Sequence, residues 1–547
     1  MDGPVRDIDV AIMGAGIHGA ALFQELCAQG VKCIIGDASD YGAGFSVAGT
    51  RILNDGMAFA DAGAADAIAE AARARQALMR AAPHAITPIE ADILLMEQGE
   101  RPASLMWKQW SQRGDPHGLG ARAAKRVVAR LRQVMPPSNA ADLISAEALR
   151  AAVPALSQSV KAAVRLRLAR IEAPERLVWE LVRNGLDCEP GAAAYNHAAL
   201  IARQGALLSV QPHVGEAFQI RPRLVVNSAG PWVDYINVHL GFATKYLRHV
   251  KRAYLLLDQP ELVAQLHGRA IGLEATPGKL CFAYDHFGQL LIGAEEYDTV
   301  GPALVTCSNR DIDTLLDAAR VMFPTTPIRR EDVRFVFAGL RPYPAEHKDP
   351  SRQGLLGRVG RLFEAEAVPD RPFPVLSIAG GTWSDHQILV KQAADRVLAL
   401  LERARQPVRE DDPIGGGWNY PEDAEKWVAR TAKDTGLDKS RVAILFHRYG
   451  TVARAVAAYE ATHSRTPVCG SYTKAEIAWI ARHEHVRHLD DLVLRRTTLA
   501  ISGLVTAEDL SIVAGVVAGV LGWSGERTQR ETQRLVAQLT KRHRMAL

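Results

Sequence analysis

The first hydrophobic run of the chain sets its organisation. Val10-Ala11-Ile12-Met13 forms an apolar strand behind Asp9, runs into Gly14-Ala15-Gly16-Ile17-His18-Gly19, and continues as a helix from Ala20-Ala21-Leu22. A second apolar strand, Val31 to Ile35, ends at Gly36-Asp37. Residues 61–80 are Ala- and Arg-rich and predict a helix that stops before Ala82-Pro83-His84. Ile86 to Met96 predicts a strand, and residues 97–160 predict helices with basic patches at Arg122, Lys125, Arg126, Arg130 and Arg132. Ala173-Pro174-Glu175-Arg176 starts a further helix that runs to about Asn184.

The pattern then turns to strands: 206–210, and 223–227 running into Ser228-Ala229-Gly230-Pro231-Trp232-Val233-Asp234. Strands at 252–257, 279–284 and 289–293 alternate with turns and predict an antiparallel sheet. A helix from Asp311 to Met322 ends at Phe323-Pro324. Phe335 to Pro342 and Val375 to Ala379 are strands, the second breaking at Gly380-Gly381, and a helix follows from near Asp385 to about Arg403. Pro407 to Gly417 is acidic and rich in Pro and Gly, which marks a linker. Beyond it the spacing is almost wholly helical to residue 547, and no repeat of fixed period runs through the chain.

Composition narrows the class. A chain of 547 residues with 48% hydrophobic content holds more than one core. A net charge of +4 is small for this length and excludes general nucleic-acid binding. Cys27, Cys33, Cys188, Cys281, Cys307 and Cys469 form no CxxC pair, so neither a zinc knuckle nor a dithiol is indicated; no metal site is expected, and reduced thiols in a cytoplasmic setting are. The first residues carry no signal-peptide pattern. The longest later apolar stretch, Leu510 to Trp523, is too short to span a bilayer and predicts a buried helix.

The glycine spacing carries the first chemistry. Gly14 permits a tight turn, Gly16 lets backbone N–H groups approach a pyrophosphate, and Gly19 lets the helix pack close to the strand. Asp37, about 20 residues beyond the motif, stands where a carboxylate accepts a ribose hydroxyl hydrogen bond. A ligand-free strand–helix turn is the alternative. The loop from Asp40 to Gly56 is glycine-rich, as close backbone approach to a ligand requires, and a flexible surface loop explains it equally well.

Taken in order, these motifs resemble FAD-dependent glycerol-3-phosphate dehydrogenase of the D-amino-acid-oxidase superfamily, over nearly the whole chain. Gly14, Gly16, Gly19 and Asp37 match its opening. Asp40 to Ala60 matches its small-residue loop at Gly44, Ser46, Thr50, Arg51 and Gly56. Val225 to Asp234 resembles VVNAAGPWVD, Ala338 to Pro342 resembles AGLRP, and Gly380 to Gln387 falls on GGKLTTYR. The tail, with Leu489-Asp490-Asp491 and Arg495-Arg496-Thr497, resembles the family's helical cap.

The resemblance implies an α/β plus all-α architecture. A Rossmann-like FAD domain would be built from residues 1–60, 165–245 and 335–405, and an antiparallel substrate lobe from 61–164 and 246–334. A linker at 406–417 and a helical domain at 418–547 would follow. It implies FAD as cofactor, with the pyrophosphate at Gly14, Gly16, Ile17, His18 and Gly19 and the ribose at Asp37 and Ala38. Gly44, Ser46, Thr50, Arg51, Ala229, Gly230, Trp232, Gly380, Gly381, Thr382 and Trp383 would line the remainder. Hydride would pass from a secondary alcohol of a polyol or polyol phosphate to flavin N5, and electrons onward to a quinone or oxygen. A homodimer and a peripheral membrane contact through Arg495, Arg496, Lys541, Arg542, His543 and Arg544 stay open.

The substrate half departs from the family. Its His, Arg and Lys fall on Asn54, Ala58 and Thr382, its GSH on Arg252-Ala253-Tyr254, and its GTTD on Gly293-Ala294-Glu295-Glu296. Two lost charge-assisted contacts weaken phosphate binding about 100-fold. Arg341 remains as an anchor for an anionic end, with Arg352 as a second basic position. Tyr254 and His386 are candidates for the general base, with His286 behind them. Another polyol, a hydroxy acid or an amine as substrate, and a non-catalytic flavin-binding protein, are the alternatives.

Overall fold

The computed structural model describes residues 5–53, 65–96, 128–129, 132, 141–276, 279–302, 305–345, 360–407 and 411–547. Two sheets and a helical domain share the chain. The first sheet runs in the order Arg361–Ala365, Val375–Ala379, Phe218–Asn227, Val5–Met13, Cys33–Gly36, Ala193–Tyr195. From Val375–Ala379 to Ala193–Tyr195 every pairing is parallel. Strands buried on both faces read as continuous apolar runs, as Val10 to Met13 and Val225-Val226 do. One face is covered by helices Ile17–Ala28, Pro174–Cys188 and His386–Leu400, through Leu22, Phe23, Leu26, Leu177, Leu181 and Val397. The carboxyl ends of Val5–Met13, Phe218–Asn227 and Val375–Ala379 meet at one edge, where ligands bind in such sheets.

The second sheet has the order Val333–Pro344, Leu247–Leu257, Gln289–Thr299, Lys279–His286, Ala270–Thr276, Ile86–Met96, Val160–Ile171, Ile52–Leu53, with Asp142–Ser145 also on Val160–Ile171. The period of two sorts its faces. Ala253, Leu255 and Leu257 pack under helices Pro260–Leu266 and Asn309–Met322, while Tyr254, Leu256, Phe282 and Tyr284 face the other way. That second face looks toward the carboxyl ends of the first sheet.

Three expectations need correction. The helical reading of 97–160 fails where the structure describes it in full: Asp142–Ser145 is a strand and Ala146–Ala152 a short helix. Strand Val160–Ile171 is missing from the pattern reading, although Leu166 and Leu168 are buried in strict alternation with Arg165 and Arg167. Segments 165–171 and 335–344, expected in the cofactor domain, pair in the second sheet instead. Both strands lie at the junction of the two sheets, so their motifs face the shared cavity while their hydrogen bonds belong to the lobe.

Among the described residues the tail from Ala424 to His543 is helical except for the small hairpin Pro467–Cys469 and Tyr472–Thr473. Helix Ala507–Leu521 buries Leu510, Val513, Ala514 and Val517 within this domain. No helix of the described residues is long and apolar enough to cross a membrane.

Candidate cofactor and substrate site

The strand Val5–Met13 delivers the glycine turn. Gly14 has φ of +99°, and a Cβ there would stand 2.7 Å from the Ala229 Cα. A Cβ at Gly19 would run into the Gly14 carbonyl oxygen and stand 2.6 Å from Ser228 Oγ. The helix Ile17–Ala28 is therefore pressed onto the strand end as a nucleotide cradle requires. Ile17 N donates to Ser46 Oγ at 2.9 Å, so Ser46 takes one of the helix's N-terminal donors. Asp37 accepts from Ala15 N at 2.7 Å and Ser39 N at 2.8 Å, and burial pushes its carboxyl up to about 6. Each carboxylate oxygen keeps a lone pair for a further donor.

A cavity of about 1070 Å³ opens at this cradle. Apart from Gly19, every residue expected at the cofactor lines it, from Gly14 through Arg51, Ala229, Gly230 and Trp232 to Gly380–Trp383. His18 Nε2 is buried without a partner beside Gly381, and burial lowers the imidazole to about 4, so it is neutral at pH 7. Trp383 Nε1 donates to the Ser46 carbonyl at 2.8 Å, tying the Gly380-Gly381 turn to the small-residue loop. Arg51 is spent on Glu175: one Nη donates to Glu175 Oε2 at 3.1 Å and the other to Oε1.

The same cavity continues onto the second sheet, where Arg252, Leu280, Phe282, Glu296, Arg341 and Tyr343 form its wall. Arg252 lies directly across from Glu296 in the strand register, and the two side chains form an ion pair. The Arg341 guanidinium stands 4.4 Å over the Tyr343 ring and makes no close ion pair among the described residues, the Asp385 carboxylate feeling its charge from farther off. Tyr254 is fully buried and stacks on Phe337 at 4.8 Å. Its hydroxyl finds no partner among the described residues, it does not line the cavity, and burial pushes the phenol up to about 12.

The other expected bases stand elsewhere. His386 is buried off the cavity wall, its Nδ1 donating to the Trp383 carbonyl at 2.7 Å, and burial lowers it to about 4. His286 is sealed in the lobe with neither ring nitrogen partnered, and burial holds it well below the usual imidazole range. Thr382 is a wall residue whose N–H and hydroxyl both bind Asp385. Arg352, Asn54 and Ala58 lie outside the described residues.

The expected surface role of Arg495 and Arg496 is also corrected. Arg496 is fully buried, donating to both oxygens of Asp40, and Arg495 binds Asp40, Asp490 and Asp491. Arg176 completes the seam, donating to Glu484 at 2.9 Å and 3.0 Å. These arginines dock the helical domain onto the cofactor domain, and no membrane surface reaches them. Sequence reasoning missed Arg252 as a cavity cation because it stands at a family glycine. It also missed Arg534, Gln538, Lys541 and Arg542, which reach the cavity from the last helix. Their i, i+4, i+7, i+8 spacing was the available signal.

A parallel sheet with a glycine cradle at its carboxyl edge, facing an antiparallel lobe across one long cavity, defines a two-domain dinucleotide oxidoreductase. The chain belongs to the FAD dependent oxidoreductase family, whose pattern matches residues 9–382. Residues 409–528 match the C-terminal domain of alpha-glycerophosphate oxidase. The chain is similar to the glycerol-3-phosphate dehydrogenase of Synechocystis sp., 23% identical over 96% of this chain and 95% of that one. It is likewise similar to the aerobic glycerol-3-phosphate dehydrogenase of Staphylococcus saprophyticus, 23% identical over 97% and 94%. The fold matches that of the glycerol-3-phosphate dehydrogenase of Bacillus halodurans complexed with FAD, with a TM-score of 0.74, 21% identity, and 98% and 95% of the two chains covered. It also matches the L-α-glycerophosphate oxidase of Mycoplasma pneumoniae, with a TM-score of 0.53, 15% identity, and 75% and 99% covered. The protein is an FAD-dependent oxidoreductase related to glycerol-3-phosphate dehydrogenases.

Proposed function

We propose that the protein oxidises the secondary alcohol of a small anionic polyol, a polyol phosphate of the glycerol 3-phosphate kind, and passes the electrons to a quinone or oxygen. The observation that carries this reading is Arg341, a guanidinium without a close ion pair among the described residues, in the same cavity as the nucleotide cradle. FAD, when bound, supplies the hydride acceptor. Arg341 holds the anionic end in bidentate fashion and so orients the carbinol carbon. Tyr254, fully buried and protonated at neutral pH, packs behind this wall and does not line the cavity. Glu296, held beside Arg252, is the wall carboxylate placed to take the alcohol proton.

A hydroxy acid is the second reading. Glu296 adds a negative charge close to the anion site, which favours a monoanion over a dianion. Arg341→Ala abolishes turnover with flavin retained if the reading holds; unchanged turnover rejects it. Glu296→Gln removes the limb of the pH–rate profile that belongs to the proton acceptor, and a profile identical to wild type removes Glu296 from that role.

A further inference from the structure

A bound FAD would bring two phosphate charges into a cavity whose cations around the cradle and the domain seam are already committed. Arg51 is held by Glu175, and Arg495 by Asp40, Asp490 and Asp491. His18 is neutral at pH 7, and Ile17 N is occupied by Ser46. Asp37 and Asp40 add negative charge on the same wall. At the substrate end Arg252 is paired with Glu296, which leaves Arg341 for the substrate.

The uncommitted cations come from the other end of the chain. Helix Gly525–His543 presents one face to the cavity, with Arg534, Gln538, Lys541 and Arg542 at its wall. Arg534 is tied to Asp490 and to Glu531, the latter at 3.0 Å. Asp490 is bridged by Arg495 to Asp40, three positions beyond the Asp37 expected to hold the ribose. This chain of contacts sets Arg534 beside the adenosine end of the cradle, and the helix runs from there about 12 Å along the cavity to Arg542. Arg542 is half-buried, lines the cavity, and makes no hydrogen bond or ion pair among the described residues. Burial and the nearby Arg495 push its guanidinium below the usual arginine range, the Asp490 carboxylate offsetting only part of this, so a further anion beside it is favoured. The helix is locked in position by His543, whose Nδ1 donates to the Val336 carbonyl at 2.9 Å and whose ring stacks on Phe335 at 4.5 Å.

We infer that the last helix supplies the cationic wall of the FAD diphosphate site, with Arg542 as the principal contact and Lys541 beside it. The helical domain is then part of the cofactor site and not only a cap docked on it. The inference rests on FAD occupying this cavity, which the flavin spectrum of the unaltered protein establishes separately.

The test uses the full chain, stripped of flavin and reconstituted, with FAD affinity read from flavin fluorescence at low and high salt. Arg542→Gln keeps the bulk of the side chain, Arg542→Lys keeps the charge, and Arg530→Ala, on an exposed part of the same helix, is the control. The expected result is an FAD dissociation constant raised about 10-fold or more in Arg542→Gln, partial recovery in Arg542→Lys, and no change in Arg530→Ala. ADP as a competitor loses affinity in parallel, the salt dependence flattens, and KM at saturating FAD is unchanged. FAD and ADP affinities equal to wild type in Arg542→Gln overturn the inference. So does a loss confined to inorganic phosphate or to substrate, which would assign the helix face to a separate phosphate.

Discussion

Arg496 and Asp40 lie 456 positions apart and form a fully buried two-pronged ion pair, Nη1 to Oδ2 at 2.7 Å and Nη2 to Oδ1 at 2.9 Å. Asp40 also lines the cofactor cavity, so one carboxylate joins the domain seam to the nucleotide site. Removing Arg496 leaves Asp40 buried with Arg495 and the Asn196 amide as its remaining partners. Arg496→Ala is therefore expected to cost about 3 kcal/mol of stability, the lower end for a broken buried pair. Urea unfolding with flavin fluorescence as the probe measures this. The helical domain of the variant should also become cleavable by protease under native conditions.

The seam has its own pH dependence. Glu531, held by His488, Arg534 and the Leu489 N–H, is lowered from 4.5 to about 2, and Asp40 is lowered by its two arginines. A carboxylate lowered by folding contributes stability that is complete above its unfolded value and lost as pH falls through the folded one. His197, bound to Asp491 at 2.9 Å, is raised from 6.5, so its contribution is complete below 6.5 and lost as pH rises through the raised value. Resistance to unfolding is expected to peak near pH 6.5: below it the buried His18 and His386, lowered to about 4, oppose folding as the unfolded chain takes up protons, and above it the His197 contribution is lost. His197→Gln should flatten the alkaline limb alone, as a series of urea midpoints across pH would record.

Tyr254 is poised differently. Its hydroxyl is buried with no partner among the described residues, so the folded protein gains nothing from it. Tyr254→Phe should leave the melting temperature equal to or above that of the parent. Because Tyr254 does not line the cavity, kcat/KM should stay within about 2-fold of the parent. A fall of about 10-fold would instead put the hydroxyl on the substrate.

Much of this was legible along the chain because the residues are local. The glycine cradle is read within one strand, one turn and one helix, and Gly14 and Gly19 make the tight turn and close packing their spacing implies. Strand Val160–Ile171 was not read because four arginines and lysines on its exposed alternation hide an apolar face that only its sheet neighbours reveal. The arginine pair 495–496 looks like a solvated helix end until Asp40 is brought across from the first domain. His386 looked like a base by position, yet the hydrogen bond to the Trp383 carbonyl turns it away from the cavity. Pairing over 456 positions decides the arginine case, and no local pattern encodes it.

The most direct test is the visible spectrum of the purified protein under anaerobic conditions, before and after addition of glycerol 3-phosphate, alongside the Arg341→Ala variant. The account predicts a bound flavin in both proteins that bleaches in the parent and stays oxidised in the variant. A flavin that remains oxidised in the parent with polyol phosphates and hydroxy acids alike, or one that bleaches equally in both proteins, would contradict it.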